Sequence, residues 1–146
     1  METPQNRELL NAIYKNARMA TLAIDSIHDK FENKKLLSLI KKQNKKYEDI
    51  THRCEKIAQE NNITLNDVGG MQKMMSTSTI NVKTYIDNST CHIAEMMIKG
   101  TNMGIIDVVK KTGEFKTASQ EILKLAHDLQ SAEEEFVDSL KTFLTK

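Results

Sequence analysis

A scarcity of helix-breaking residues constrains the fold of this chain more than any other feature. Its 146 residues include a single proline, at position 4, and only five glycines. Proline and glycine are the residues that most disfavour a helix interior, and the chain has few runs of β-branched or aromatic residues that would favour strands instead. The sequence therefore predicts an all-α protein.

Four long helices are predicted from apolar residues that recur at alternating steps of three and four. These helices cover residues 4–31, 34–61, 89–112 and 118–144. Thr3 with Pro4, and then Asn33, suit the starts of the first two helices. Gly113 suits the end of the third, and the segment TASQ (117–120) is a capping box for the fourth. Short connections make the helices two antiparallel hairpins of one domain, residues 1–146.

The residues between the two hairpins predict how the bundle is connected. A further helix is predicted over residues 67–87, and polar residues up to Ser89 then interrupt it. About 20 helical residues carry a chain ~30 Å, so the second and third long helices can run parallel. This is the connectivity of a ferritin-like four-helix bundle, with a helical crossover between two antiparallel hairpins. The alternative is one continuous helix over residues 71–112, ~60 Å long.

The composition excludes several classes of partner. Basic and acidic residues number 21 and 20, which removes the bulk charge that nucleic acids or anionic membranes attract. No signal peptide or membrane span is recognisable, so a cytoplasmic protein is expected. Cys54 and Cys91 are too few and too far apart for a disulfide framework, and each is expected to behave as a small hydrophobic residue.

A di-metal site is not predicted, because the chain contains no Glu-x-x-His. In the pairs Asp25 with His28 and Asp49 with His52, the residues lie away from the apolar faces of their helices, except that His28 lies at the margin of one. His92 and Glu95 lie opposite the apolar face of the third long helix, and they are too few to bind zinc or iron alone. No catalytic residue and no cofactor is predicted.

Two acids lie closer to the predicted core. Glu133 follows the apolar row of the last helix, so it should face inward, where a carboxylate needs a partner or a raised pKa. Asp107 borders the apolar face of the third long helix. The two acids could converge, with an amide as hydrogen-bond partner. The available amides are those of Asn16, Gln43 and Asn44. Together with His92 and Glu95, the two acids are the only candidate metal ligands.

The third long helix is rich in methionine and carries two glycines four residues apart. The centre of its apolar face is predicted to run through Ile93, Met97, Gly100, Gly104 and Val108. Because glycine costs a helix about 1 kcal/mol, the pair predicts that another helix approaches closely there. The residues expected at this packing surface or interface are Met96, Met97, Gly100, Met103 and Gly104. The expected partner is a second copy or another protein's helix, and a small apolar ligand in the bundle is the alternative.

Two segments, TCHIAEMMIKGTNMGIIDVVK and LLNAIYKNARMATLAIDSI, resemble those of a family of small bacterial (Firmicutes) proteins with a ferritin-like bundle. The resemblance covers nearly the whole chain. It implies a ferritin-like fold and a cytoplasmic bacterial origin, but no reaction, and the chain lacks the ligand motif of iron-binding relatives. The sequence thus predicts a non-enzymatic binding or self-associating protein; the alternative is a degenerate ferritin-like metal-binding protein or oxidoreductase.

Overall fold

The computed structural model describes residues 3–27, 29, 31–66 and 89–145. All regular structure within these residues is helical, as predicted. The helices are α1 (Pro4–Ile27), α2 (Lys34–Asn61), α3 (Thr90–Glu114) and α4 (Gln120–Lys141). The predicted bounds of α2 are correct, whereas α1 ends before Phe31. The helix predicted over residues 67–87 lies outside the described residues.

The side chain of a capping residue marks the start of each helix. Thr3, Asn33, Ser89 and Ser119 each accept a hydrogen bond from the backbone N–H three residues later. Ser89 has an extended backbone, so α3 begins there and the alternative of one helix running through residues 71–112 is wrong. The capping box predicted at Thr117 is also wrong, because Ser119 is the residue that caps α4.

Neither α2 nor α3 ends at a glycine C-cap. Asn62 adopts the left-handed conformation (φ 57°) and donates its backbone N–H to the Ala58 carbonyl, which ends α2. Helix α3 continues past Gly113, which has no positive φ, and Phe115 caps it. Gly113 is therefore an ordinary helical residue, contrary to the stop predicted there.

Hydrogen bonds between helix ends establish the direction of each helix. The Asn11 side chain donates to the Thr64 carbonyl (3.2 Å), so the start of α1 lies beside the end of α2. The backbone N–H of Ser119 donates to the Asn6 side chain (2.7 Å), which places the start of α4 at the same end. Because α3 leads into α4 through a short turn, α3 runs antiparallel to α4 and parallel to α2.

The four helices pack in the cyclic order α1, α2, α4, α3, and each is antiparallel to both of its neighbours. The interior is filled by aliphatic side chains with two large aromatic ones, Tyr47 and Phe136. Phe31 is also buried, although it lies beyond the end of α1. No helix in the described part of the chain is long and apolar enough to cross a membrane.

Candidate functional site

One acid lies at the centre of this apolar interior. Glu133 occupies the inward-facing row of α4, and only 1% of its surface is exposed, as the apolar spacing predicts. Its Oε2 atom accepts a hydrogen bond from the Tyr47 hydroxyl (3.1 Å). Its Oε1 atom is buried and has no hydrogen-bond partner among the described residues. The core therefore contains a carboxyl group of which only half is satisfied, an arrangement that is rare in folded proteins.

Glu133 of α4 is surrounded by one residue from each of the other three helices. Asn16 of α1 donates from its amide to the Gly104 carbonyl of α3 (2.9 Å), while Tyr47 comes from α2. A Cβ atom at Gly104 would lie 2.7 Å from Oε2 of Glu133 and 3.1 Å from Oδ1 of Asn16. Gly104 is therefore required because it leaves the space that the Glu133 carboxyl group occupies. We call these four residues the core polar cluster.

Burial dominates the electrostatics of the core polar cluster. It raises the pKa of Glu133 from 4.5 to about 7, and the negative charge of Asp107 adds to this rise. The Tyr47 hydroxyl and the Asn16 amide oppose it by stabilising the carboxylate. Burial also raises the pKa of Tyr47, and the charge of Glu133 raises it further. The cluster can therefore gain or lose one proton, on Glu133, near neutral pH.

The predicted convergence of Asp107 with Glu133 is limited to this charge effect, because Asp107 lies on the exposed side of α3. Of the three amides predicted as partners, Asn16 belongs to the cluster. Gln43 donates to the Ala132 carbonyl (3.3 Å), and Asn44 donates to Glu48 on the surface (3.2 Å). The sequence does not predict the partner that matters, Tyr47, because its spacing along α2 indicates only that it is one of the inward-facing residues of that helix.

The four candidate metal ligands are not assembled into one site. Glu95 is exposed and forms an ion pair with Lys99 (3.2 Å), and His92 lies in the first turn of α3. Asp107 is exposed, while Glu133 is buried. In the parts of the chain that the structure describes, no three His, Cys, Asp or Glu side chains could hold one metal ion. Among the other pairs, Asp25, Asp49 and His52 are exposed as predicted, and His28 lies outside the described residues.

The side of α3 that faces away from the core exposes apolar residues. The exposed fractions of Met103, Ile106 and Val109 are 71%, 55% and 47%. We call these three residues the outer face of α3. The rest of α3 turns Ile93, Ala94, Thr101 and Val108 into the core.

The prediction of a packing surface on α3 is therefore only partly correct. Gly104 faces the core, and Met96 and Met97 are half-buried against it. A Cβ atom at Gly100 would meet nothing within 4 Å, so none of the described helices crosses α3 at that glycine. Met103, also predicted at this surface, points outward as part of the outer face.

Open grooves of about 430 and 560 Å³ lie on the surface of the described residues. The first is lined by four lysines of α2, and the second, between α2 and α4, mainly by charged residues. Neither has the lining that an apolar ligand requires. The features of functional interest are thus the core polar cluster and the outer face of α3. No protein-family model, curated protein or solved structure matches this chain significantly.

Proposed function

We propose that this chain is a non-enzymatic helical-bundle protein that works by self-association through the outer face of α3. The observation that carries this proposal is the distribution of exposed apolar residues. Among the described residues, the exposed large hydrophobic side chains are the three of the outer face and Leu144. Apolar residues scattered singly are normal on a protein surface, but a cluster on one helix is typical of an interface.

The connectivity of the bundle supports a ferritin-like architecture as part of this proposal. Helices α2 and α3 run parallel, which a bundle with one long crossover requires. The free thiols of Cys54 and Cys91 fit a bacterial cytoplasmic protein, because that compartment keeps cysteines reduced. Against an enzyme stands the dispersal of the candidate residues, since Glu95 and Asp107 are exposed on α3 whereas Glu133 is buried in the core.

Light scattering after size-exclusion chromatography, over a range of protein concentrations, tests the proposed self-association. We expect dimers of the wild-type chain, and monomers of the double variant Met103→Asp/Ile106→Asp with an unchanged helical circular dichroism spectrum. The control is Leu144→Asp, which places one aspartate at an exposed apolar residue outside α3 and should leave the dimer intact. A wild-type chain that stays monomeric at the highest concentration would contradict the proposal.

One observation favours a second candidate, a degenerate ferritin-like metal-binding protein or oxidoreductase. The Oε1 atom of Glu133 is buried without a partner among the described residues, and such an oxygen is a potential ligand. Elemental analysis of protein purified without chelator tests this candidate. Stoichiometric iron, manganese or zinc that is lost in Glu133→Gln would support it. Absence of metal, with no change in melting temperature on adding these ions, would exclude it.

A further inference from the structure

We infer that the helix bound by the outer face of α3 is α3 of a second copy, antiparallel to the first and in a register centred on Met103. This inference rests on the self-association proposed above and identifies the partner surface and its orientation. It is carried by the charged residues that flank the outer face and by the open space at Gly100.

Four charged side chains flank the outer face along α3, and all of them are exposed. Glu95 and Lys99 precede Met103, and they form an ion pair with each other (3.2 Å). Asp107 and Lys110 follow Met103, and neither forms an ion pair with any residue that the structure describes. At ~100° per residue, Lys99, Met103, Ile106 and Lys110 lie on one side of the helix, and Asp107 lies next to them.

An antiparallel pairing brings opposite charges together. Around a two-fold axis beside Met103, a residue faces the one that lies equally far on the other side of Met103 in the second copy. Lys99 and Asp107 lie four residues before and after Met103, so each faces the other across the axis. Lys110 of one copy faces Met96 of the other, and Glu95 is the residue next to that methionine. Asp107, which has no ion-pair partner among the described residues, therefore gains one, and Lys110 comes near the Glu95 that precedes Met96 in the second copy.

A parallel pairing does the opposite. Around a two-fold axis parallel to the helices, each residue of α3 faces its own copy, so Lys99 would meet Lys99 and Asp107 would meet Asp107. Like charges that face each other on neighbouring elements are destabilising. The charge pattern of α3 is thus complementary to itself in the antiparallel orientation alone.

Gly100 favours a close approach in this arrangement. It lies on the exposed side of α3, beside Met103, and the space in front of its missing side chain is empty. Glycine lowers the stability of a helix and contributes no packing within the bundle here, whereas a second helix could use the space. Helices pack with axes 8–10 Å apart, and small residues permit the shorter distances in this range.

Charge exchange tests the pairing. Asp107→Lys places two lysines opposite each other twice in the dimer, so we expect the dissociation constant to rise roughly tenfold. The double variant Lys99→Glu/Asp107→Lys should bind as tightly as the wild type, because the pair is restored with its signs exchanged. Within one chain these residues are ~12 Å apart, too far for a direct contact. The control is Glu134→Lys, which replaces an exposed acid of α4 and should leave the dissociation constant unchanged.

Crosslinking with a short bismaleimide tests the register, in a Cys91→Ser background that leaves only the buried Cys54. We expect Met103→Cys to crosslink to itself. Lys110→Cys should not, because its two copies would be ~21 Å apart, but it should crosslink to Met96→Cys in a mixture. Equal weakening by the single and double charge variants, or self-crosslinking of Lys110→Cys, would overturn the inference while leaving self-association intact. A Met103→Cys chain that stays monomeric, with the introduced thiol protected from the reagent, would overturn both.

Discussion

Glu133 determines how the stability of this protein should respond to pH. Its folded-state pKa of about 7 lies above the ordinary value of 4.5, so the folded state binds the proton more tightly than the unfolded state does. The stability that this carboxyl group contributes is therefore fully present below about pH 4.5 and is lost as the pH rises through about 7. The difference in pKa corresponds to about 3 kcal/mol.

The substitution Glu133→Gln tests this pH dependence. A neutral amide of the same shape still accepts the Tyr47 hydrogen bond and carries no charge that must be buried. At about pH 8 we expect the free energy of unfolding to rise by about 1–3 kcal/mol, and the loss of stability between about pH 5 and pH 7 to disappear. Urea denaturation across this range is the measurement.

The adjacent exposed residue provides the control for that experiment. Glu134→Gln removes the same charge one position along α4, and it should leave the pH profile of the wild type unchanged. If Glu133→Gln lowered the free energy of unfolding as much at about pH 8 as at about pH 5, burial of the carboxylate would not be the cause of the pH dependence.

Among the helices, α3 shows how one spacing can serve two purposes. Gly100 and Gly104 lie one turn apart, yet the first faces open space and the second faces the Glu133 carboxyl group. Their directions differ by only ~40° around the helix, and the boundary between exposed and buried surface runs between them. A helix of mixed apolar character does not define that boundary to within 40°, so the sequence alone placed both glycines on the buried face.

Matched alanine substitutions separate the two glycines. Gly100→Ala should raise the free energy of unfolding by up to about 1 kcal/mol, because alanine is the better helix former and nothing obstructs its methyl group. Gly104→Ala should lower it by about 1–3 kcal/mol, because the methyl group would lie 2.7 Å from Oε2 of Glu133. Denaturation at low protein concentration, where any dimer is dissociated, is the measurement. Equal effects at both positions would refute this account of Gly104.

The approximate positions of the four described helices were predictable because local apolar spacing determines them. Asn33 caps α2 as predicted, and the buried residues of α2 recur at helical spacing from Leu36 to Ala58, near the end of the helix. The error at the end of α1 is instructive. Phe31 is buried at the next position of the apolar pattern, but the helix has already ended at Ile27. Spacing shows which residues are buried, whereas the end of a helix depends on the connection that follows.

The core polar cluster was only half predictable for a different reason. The inward direction of Glu133 follows from its position in the apolar row of α4, and this prediction is confirmed. Its contact with Tyr47 depends on the register between α2 and α4, which are 86 residues apart at this point. The apolar periodicity of one helix carries no information about how that helix is aligned with another. The pairing of Asn16 with Gly104, over 88 residues, was hidden for the same reason.

At the scale of the whole molecule, self-association should be linked to stability. A dimer that forms only from folded chains stabilises the folded state by mass action, so the melting temperature should rise with protein concentration. We expect this rise for the wild-type chain and not for Met103→Asp/Ile106→Asp. Differential scanning calorimetry over a hundredfold range of concentration measures it. A melting temperature that does not depend on concentration would argue against the dimer.

Because the bundle consists of two helical hairpins, the chain can be divided between them. Helices α1 and α2 form one half and α3 and α4 the other, and side-chain hydrogen bonds from α1 and α2 join the two halves across the core. None of these bonds requires a covalent link between residues 66 and 89. The hairpins made as separate polypeptides should therefore complement each other when mixed, with the Tyr47 hydroxyl and the Glu133 carboxyl group meeting only in the reassembled protein.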